Sequence, residues 1–270
     1  MTKATAGVLK KATAISSRRS YNSTHPLGEA SVSLWTEALF AAELLLLHAA
    51  PVYYGLGVPR GDGSGVVIIP GFLGTDTYLM ELHAWLTRMG YQPYYSGIGI
   101  NADCPNLLVK PRLNKTIEKA LTDTGRKVHL IGHSLGGILA RSAAAQWEDA
   151  VASVITLGSP FRGLFMHKAV LRAAEAVRKQ IIEQRGPGVL PSCYTGQCTC
   201  NFLASLRRNL PKSIQQTAIY TRHDGVVDWK CCVTGKAKCD FEVAGTHIGM
   251  AFNPSAYAIM AERLAQAQCD

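Results

Sequence analysis

Residues 128–144 read VHLIGHSLGGILARSAA, and the five at its centre, Gly132-His133-Ser134-Leu135-Gly136, constrain the fold more than any other stretch. A short continuous apolar run precedes them, as in a strand buried on both faces. Gly137, Ala140 and residues 143–145 follow, giving a helix thin enough to pack closely. A serine set between glycines at a strand-to-helix turn sits on a sharp bend, where a Cβ two residues to either side would clash. Such a turn holds the hydroxyl above the sheet, at a helix N-terminus.

The rest of the chain alternates in the same way. Short apolar or β-rich runs predict strands at 66–69, 91–95, 128–131, 151–157, 216–221 and 240–244. Between them, Leu79, Leu82, Leu86 and Met89 mark a helix over 77–89 that Gly90 stops. Further helices are expected at 115–121 and 135–147, and a last one begins with Asn253 as cap and Pro254 as first residue. Alternating strands and helices imply an α/β fold, a mostly parallel central sheet covered by helices on both faces. Residues 161–213 break the rhythm. Val170, Ala174, Val177 and Ile181 make one apolar helical stripe, and a cysteine-rich loop follows. This segment reads as an insertion between sheet strands, a candidate helical cap or lid over a site at the strand ends. The expected organisation is a basic, mobile tail over 1–28 and a single domain over 29–270.

A serine hydroxyl needs a base, an acid to orient that base, and donors for the oxyanion. With the serine first, the acid and then the histidine should follow on later strand ends. TRHDGVVDW supplies Asp224 after the strand at 216–221, and GTHIGM supplies His247 after the strand at 240–244. Asp228 is the rival acid, but Asp224 lies closer to the strand end and Gly225 permits a sharp turn. If Asp224 is the acid, Asp228 is a solvated or capping carboxylate. His133 packs or hydrogen-bonds beneath the serine turn. The oxyanion donors are backbone amides: Leu135, just after the serine, and Phe72 in the loop Pro70-Gly71-Phe72-Leu73-Gly74.

Four motifs, VVIIPGFLG, LIGHSLGG, ITLGSPFRG and the pair YTRHDGVVDW with GTHIGM, resemble the α/β-hydrolase superfamily, in particular its bacterial triacylglycerol lipase and esterase branch. They spread over residues 64–265. The resemblance implies a nucleophile, acid and base at Ser134, Asp224 and His247, with oxyanion amides at Phe72 and Leu135. One departure stands out: many relatives have His-Gly where this chain has Pro70-Gly71. The implied function is a serine hydrolase that cleaves carboxylic esters through an acyl-enzyme, with an ester or lipid substrate and no metal or organic cofactor. Leu73, Phe161, Phe165, Ile248 and Met250 are the candidate acyl-pocket residues. An acyltransferase or thioesterase would use the same three residues, and a catalytically silent binding protein is the third reading.

Composition limits the partners. The net charge is +9, and five basic residues (Lys3, Lys10, Lys11, Arg18, Arg19) lie in the first 28 positions without one Asp or Glu. The excess is partly a basic tail, read first as a solvated, mobile arm and second as a weak peripheral membrane-surface or nucleic-acid contact; no interleaving of basic and aromatic residues points to a nucleic-acid groove. Oligomeric state is not legible. Residues 31–50 read as an apolar-rich helix interrupted by Glu37 and Glu43, more a core-packing element than a membrane anchor. No convincing secretory signal precedes it, which favours a cytoplasmic or peripheral-membrane location. Against this, seven of eight cysteines fall after residue 190. Six cluster as Cys193, Cys198, Cys200 and Cys231, Cys232, Cys239, ranked first as a disulfide between clusters, then free thiols, then metal, and leaving an exported form open.

Overall fold

The computed structural model describes residues 27–185 and 200–267. The first strand, β1 (Leu27–Glu29), stands outside the main sheet. Helix α1 (Phe40–Ala49) follows a single 3₁₀ segment, Leu34–Leu39. Then come β2 (Gly65–Ile69), α2 (Met80–Met89), β3 (Gln92–Tyr95), α3 (Asn114–Thr124), β4 (Val128–His133), α4 (Leu135–Ala144) and β5 (Val151–Leu157). Strand β6 (Leu164–Met166) pairs in parallel with β1. Helices α5 (Lys168–Arg185) and α6 (Asn201–Leu206) precede β7 (Gln215–Tyr220), β8 (Asp240–Glu242) and α7 (Pro254–Gln266).

Six strands form one sheet in the order β3-β2-β4-β5-β7-β8, each pairing parallel. The pleat sends alternate residues to opposite faces, and because both faces are covered the central strands β2, β4 and β5 are almost wholly buried. In β2, Val67 and Ile69 enter one core with residues of α3, α4 and α6. Val66 and Ile68 enter the other, with residues of α2 and α7 and with Leu47 of α1. The chain runs outward from β2 to β3 and then returns to place β4 on the other side of β2. The loops leaving β2 and β4 therefore meet at a switch in strand order, where open parallel sheets form crevices.

Most expected elements lie within a few residues of their predicted bounds, and the strand at 151–157 coincides with them. Gly90 ends α2 with φ 93°, and Asn253 caps α7 by accepting from Ala256 N–H at 3.1 Å. Three expectations change. Leu27 and Gly28 belong to β1 rather than to a tail; residues 1–26 lie outside the described residues. The segment at 31–50 packs only its inner side, and several of its apolar residues face out. The first-ranked disulfide between cysteine clusters gives way to free thiols at Cys231, Cys232 and Cys239; Cys193 and Cys198 lie outside the described residues. Burial raises the Cys232 thiol well above its ordinary value, so it is a protonated core group.

Candidate active site

Strand β4 ends at His133 and α4 starts at Leu135, so Ser134 alone makes the turn. Its backbone lies at φ 52° and ψ −123°, a strained geometry that costs a non-glycine residue about 1–3 kcal/mol. The surroundings hold it there. Ser134 N–H donates to the Leu157 carbonyl at 2.8 Å. A Cβ on Gly136 would overlap the Ile69 carbonyl oxygen, and one on Gly132 would overlap the Gly136 backbone. These two glycines are required by close approach, since neither has a positive φ.

The loops after β7 and β8 bring Asp224 and His247 together. His247 Nδ1 lies 2.7 Å from Asp224 Oδ2, and both side chains are almost fully buried. A carboxylate only accepts, so Nδ1 carries the proton and Nε2 keeps its lone pair. Asp224 Oδ1 accepts from Val226 N–H at 2.9 Å and Val227 N–H at 2.7 Å, which fixes the carboxylate within its own turn. Burial disfavours a charged His247, but the Asp224 charge, its hydrogen bond and the Glu37 charge outweigh it, and the imidazole titrates above its ordinary value. Asp228 instead accepts from Lys230 N–H at 3.0 Å and caps a short 3₁₀ turn.

His133, beside the serine, points beneath the turn. Its Nε2 donates to the His247 carbonyl at 2.9 Å, and its ring lies 4.9 Å from the His247 ring. Burial pushes its pKa down to about 3, so it stays neutral and acts as a prop. The loop after β2 carries Phe72. It is held by Asn101, whose Nδ2 donates to the Pro70 carbonyl at 2.8 Å and whose own carbonyl accepts from Leu73 N–H at 2.9 Å. A Cβ on Gly71 would stand 3.1 Å from the Ser134 Cβ, so this loop lies against the serine turn.

An apolar cavity opens beside Ser134, Leu135 and Phe72. Helix α5 contributes Val170, Leu171 and Ala174 to its walls; α6 contributes Phe202, Leu203 and Leu206; Leu27 and Ile138 complete them on other sides. The 161–213 segment thus supplies much of the wall. The five expected acyl-pocket residues do not line it. Leu73 is 52% exposed, at φ 62°, on the outer side of its loop. Phe161 is buried under the Arg141 guanidinium, 4.1 Å from its ring centroid. The Phe165 ring packs against Gly28. Met250 lies in the core on the α7 side, and the Ile248 carbonyl accepts from Tyr78 Oη at 2.7 Å. Proximity along the chain to the site motifs PGFLG, GSPFRG and GTHIGM selected these residues, whereas much of the cavity wall is built by helices from other segments.

Sequence reasoning also missed two carboxylates. Glu37 accepts from Gly225 N–H at 2.9 Å, His247 N–H at 3.1 Å and Ile248 N–H at 2.7 Å. Glu43 accepts from Thr246 N–H at 3.0 Å and Thr246 Oγ1 at 2.6 Å. Both are buried. The available signal was two acids inside an otherwise apolar run, which elsewhere would be an unpaired buried charge. Among the described residues, no cluster of His, Cys, Asp and Glu is arranged to hold a metal ion.

A family model described as palmitoyl protein thioesterase matches residues 75–223, more than half of the 270. A triacylglycerol lipase of Burkholderia plantarii is 34% identical over 133 residues, which is 46% of this chain and 37% of that protein. A triacylglycerol lipase of Pseudarthrobacter phenanthrenivorans is 34% identical over 36% of this chain and 33% of its own length. The chain thus spans about a third of the curated relatives it matches. Among solved structures, that of metagenome-derived lipolytic enzymes, LipS and LipT, superposes with a TM-score of 0.55 at 16% identity, covering 79% of this chain and 96% of that one. The shared architecture is the α/β-hydrolase fold.

Proposed function

Because the chain belongs to the palmitoyl protein thioesterase family, we propose that it is a serine hydrolase that cleaves carboxylic esters of apolar acyl groups. The observations that support this reading are the buried Asp224–His247 pair, 2.7 Å apart, and a strained Ser134 that lines an apolar cavity. In the proposed reaction, Ser134 Oγ attacks the ester carbonyl and gives its proton to His247 Nε2. Asp224 holds the Nδ1–H tautomer and stabilises the imidazolium. The Phe72 and Leu135 amides bind the oxyanion. Collapse of the tetrahedral intermediate expels the alcohol, which takes the proton back from His247, and leaves the acyl group on Ser134. Water, deprotonated by His247, then attacks the acyl-enzyme and releases the acid. The alkyl chain lies in the cavity between α4, α5 and α6.

The family match favours a second reading in which the leaving group is a thiol. The same three residues serve it, because a thiolate leaves more readily than an alkoxide. The test compares p-nitrophenyl esters from acetyl to palmitoyl with an S-palmitoyl peptide, for the native chain and Ser134→Ala. Hydrolysis of the esters, abolished in the variant, supports the ester reading. Turnover confined to the thioester supports the second. No turnover of either by the folded chain, and no covalent labelling of Ser134 by an organophosphonate, overturns both.

A further inference from the structure

Helix α1 is inverted relative to an ordinary surface helix, which turns its apolar stripe inward and its polar residues to water. Its buried positions are Glu43 and Leu47; its exposed ones are Phe40, Ala41, Ala42, Leu45, Leu46 and Ala49. The preceding 3₁₀ segment does the same, with Glu37 buried, Trp35 89% exposed and Leu39 59% exposed. Tyr54 and Leu56, just beyond α1, are also exposed. Contiguous apolar surface of this kind marks an interaction site.

The helix is held in this orientation. Glu37 and Glu43 together accept from the backbone N–H groups of Gly225, Thr246, His247 and Ile248. Rotating α1 to bury its leucines would strand those donors and expose the carboxylates, so the apolar face is kept outward. Charge identifies what covers it. Residues 1–26 hold Lys3, Lys10, Lys11, Arg18 and Arg19 and no Asp or Glu, and they join the described chain at Leu27. Leu27 lines the cavity, and Glu37, two residues from Trp35, supports the His247 loop, so the face lies beside the candidate site. An exposed Trp, an aliphatic helix face and an adjoining run of cations fit a layer whose surface is anionic and whose interior is hydrocarbon.

We propose that the outward face of residues 35–46 docks onto a lipid bilayer bearing anionic headgroups. The helix lies in the interface and does not cross it: no helix among the described residues is long and apolar enough to span. The inference goes beyond the hydrolase reading and does not rest on it, because binding is read without substrate.

The full chain is sedimented with vesicles of phosphatidylcholine alone and of phosphatidylcholine with phosphatidylserine. The native chain is expected to pellet with the anionic vesicles, and Trp35→Ser/Leu45→Ser/Leu46→Ser to bind them at least ~10-fold more weakly. Dibrominated lipid should quench a fluorescence component that Trp35→Phe lacks. Replacing Lys10, Lys11, Arg18 and Arg19 by Gln should weaken binding to the anionic vesicles and leave the phosphatidylcholine result unchanged. The triple variant should keep the native melting temperature, since these side chains are exposed. Equal binding by native and triple variant overturns the proposal. So does a native chain that ignores both vesicles, including one that forms a concentration-dependent dimer lost in the triple variant, which would assign the face to a second copy.

Discussion

Glu37 and His247 are 210 residues apart in sequence, yet a Glu37 carboxylate oxygen accepts the His247 backbone N–H at 3.1 Å. The same oxygen accepts from Gly225 N–H, next to Asp224. One buried carboxylate thus ties together the two loops that carry the candidate acid and base. It touches neither Ser134 nor the cavity, which makes it a positioning residue. Glu37→Ala leaves buried N–H donors without partners, each costing about 1–3 kcal/mol. Urea unfolding should show a loss of about 3 kcal/mol or more. Glu37→Gln retains one acceptor and should fold, with kcat reduced ~10-fold and KM little changed. A Glu37→Gln enzyme of native kcat would mean the loops hold their geometry without this charge.

The same residue sets a pH dependence. The proposed base must be neutral to take the Ser134 proton, so kcat/KM falls as pH drops through the His247 pKa. That pKa is raised by the Asp224 and Glu37 charges against the opposing effect of burial. The acid limb of the profile should therefore lie above the ordinary imidazole value of about 6.5. In Glu37→Gln one raising charge is gone, and the limb should move to lower pH. A purely structural role for Glu37 predicts a smaller kcat with the limb unmoved.

Asp224 and Asp228 can be separated by paired substitutions. Asp224→Asn removes the acceptor for Nδ1–H and favours the wrong tautomer, an effect on the order of 10⁴ in kcat. Asp228→Asn keeps a side-chain oxygen able to cap the 3₁₀ turn beginning at Trp229; activity should stay within about twofold, with stability nearly unchanged. Comparable losses in both would shift the proposed role of the acid away from Asp224.

The serine turn makes a prediction about stability. Gly136→Ala drives a methyl into the Ile69 carbonyl oxygen, where β2 and β4 adjoin. Overpacking against backbone in the sheet should cost about 3 kcal/mol, read as a lower melting temperature and little soluble protein. A Gly136→Ala chain of native stability would require β2 and α4 to be looser than the packing implies.

What was legible in the sequence follows from how local each signal is. The strands at 151–157 and 128–131, the Gly90 stop and the Asn253 cap are set by neighbours in sequence, and they could be read directly. The serine turn and its two later loops were equally legible, because chain order and strand ends restrict the choices. Glu37 and Glu43 were visible only as interruptions of an apolar run, since their partners lie about two hundred residues away. The cavity was misassigned for the same reason. Much of its wall comes from α5 and α6, whose inward faces can be assigned only once those helices are packed against the rest of the fold.

That misassignment has a direct test in acyl-chain selectivity. Ala174 lines the cavity from α5, whereas Met250 is buried in the core on the α7 side and does not line it. Ala174→Trp places a large ring in the space proposed for the acyl tail. Turnover of palmitoyl esters should fall on the order of 100-fold, while acetyl and butyryl esters are cleaved nearly as before, so the optimum shortens. Met250→Ala removes packing and should cost about 2–5 kcal/mol of stability, yet leave the chain-length optimum where it was. The reverse pattern, with selectivity following Met250 and indifferent to Ala174, would put the acyl chain on the other face of the sheet and restore the pocket first read from the sequence.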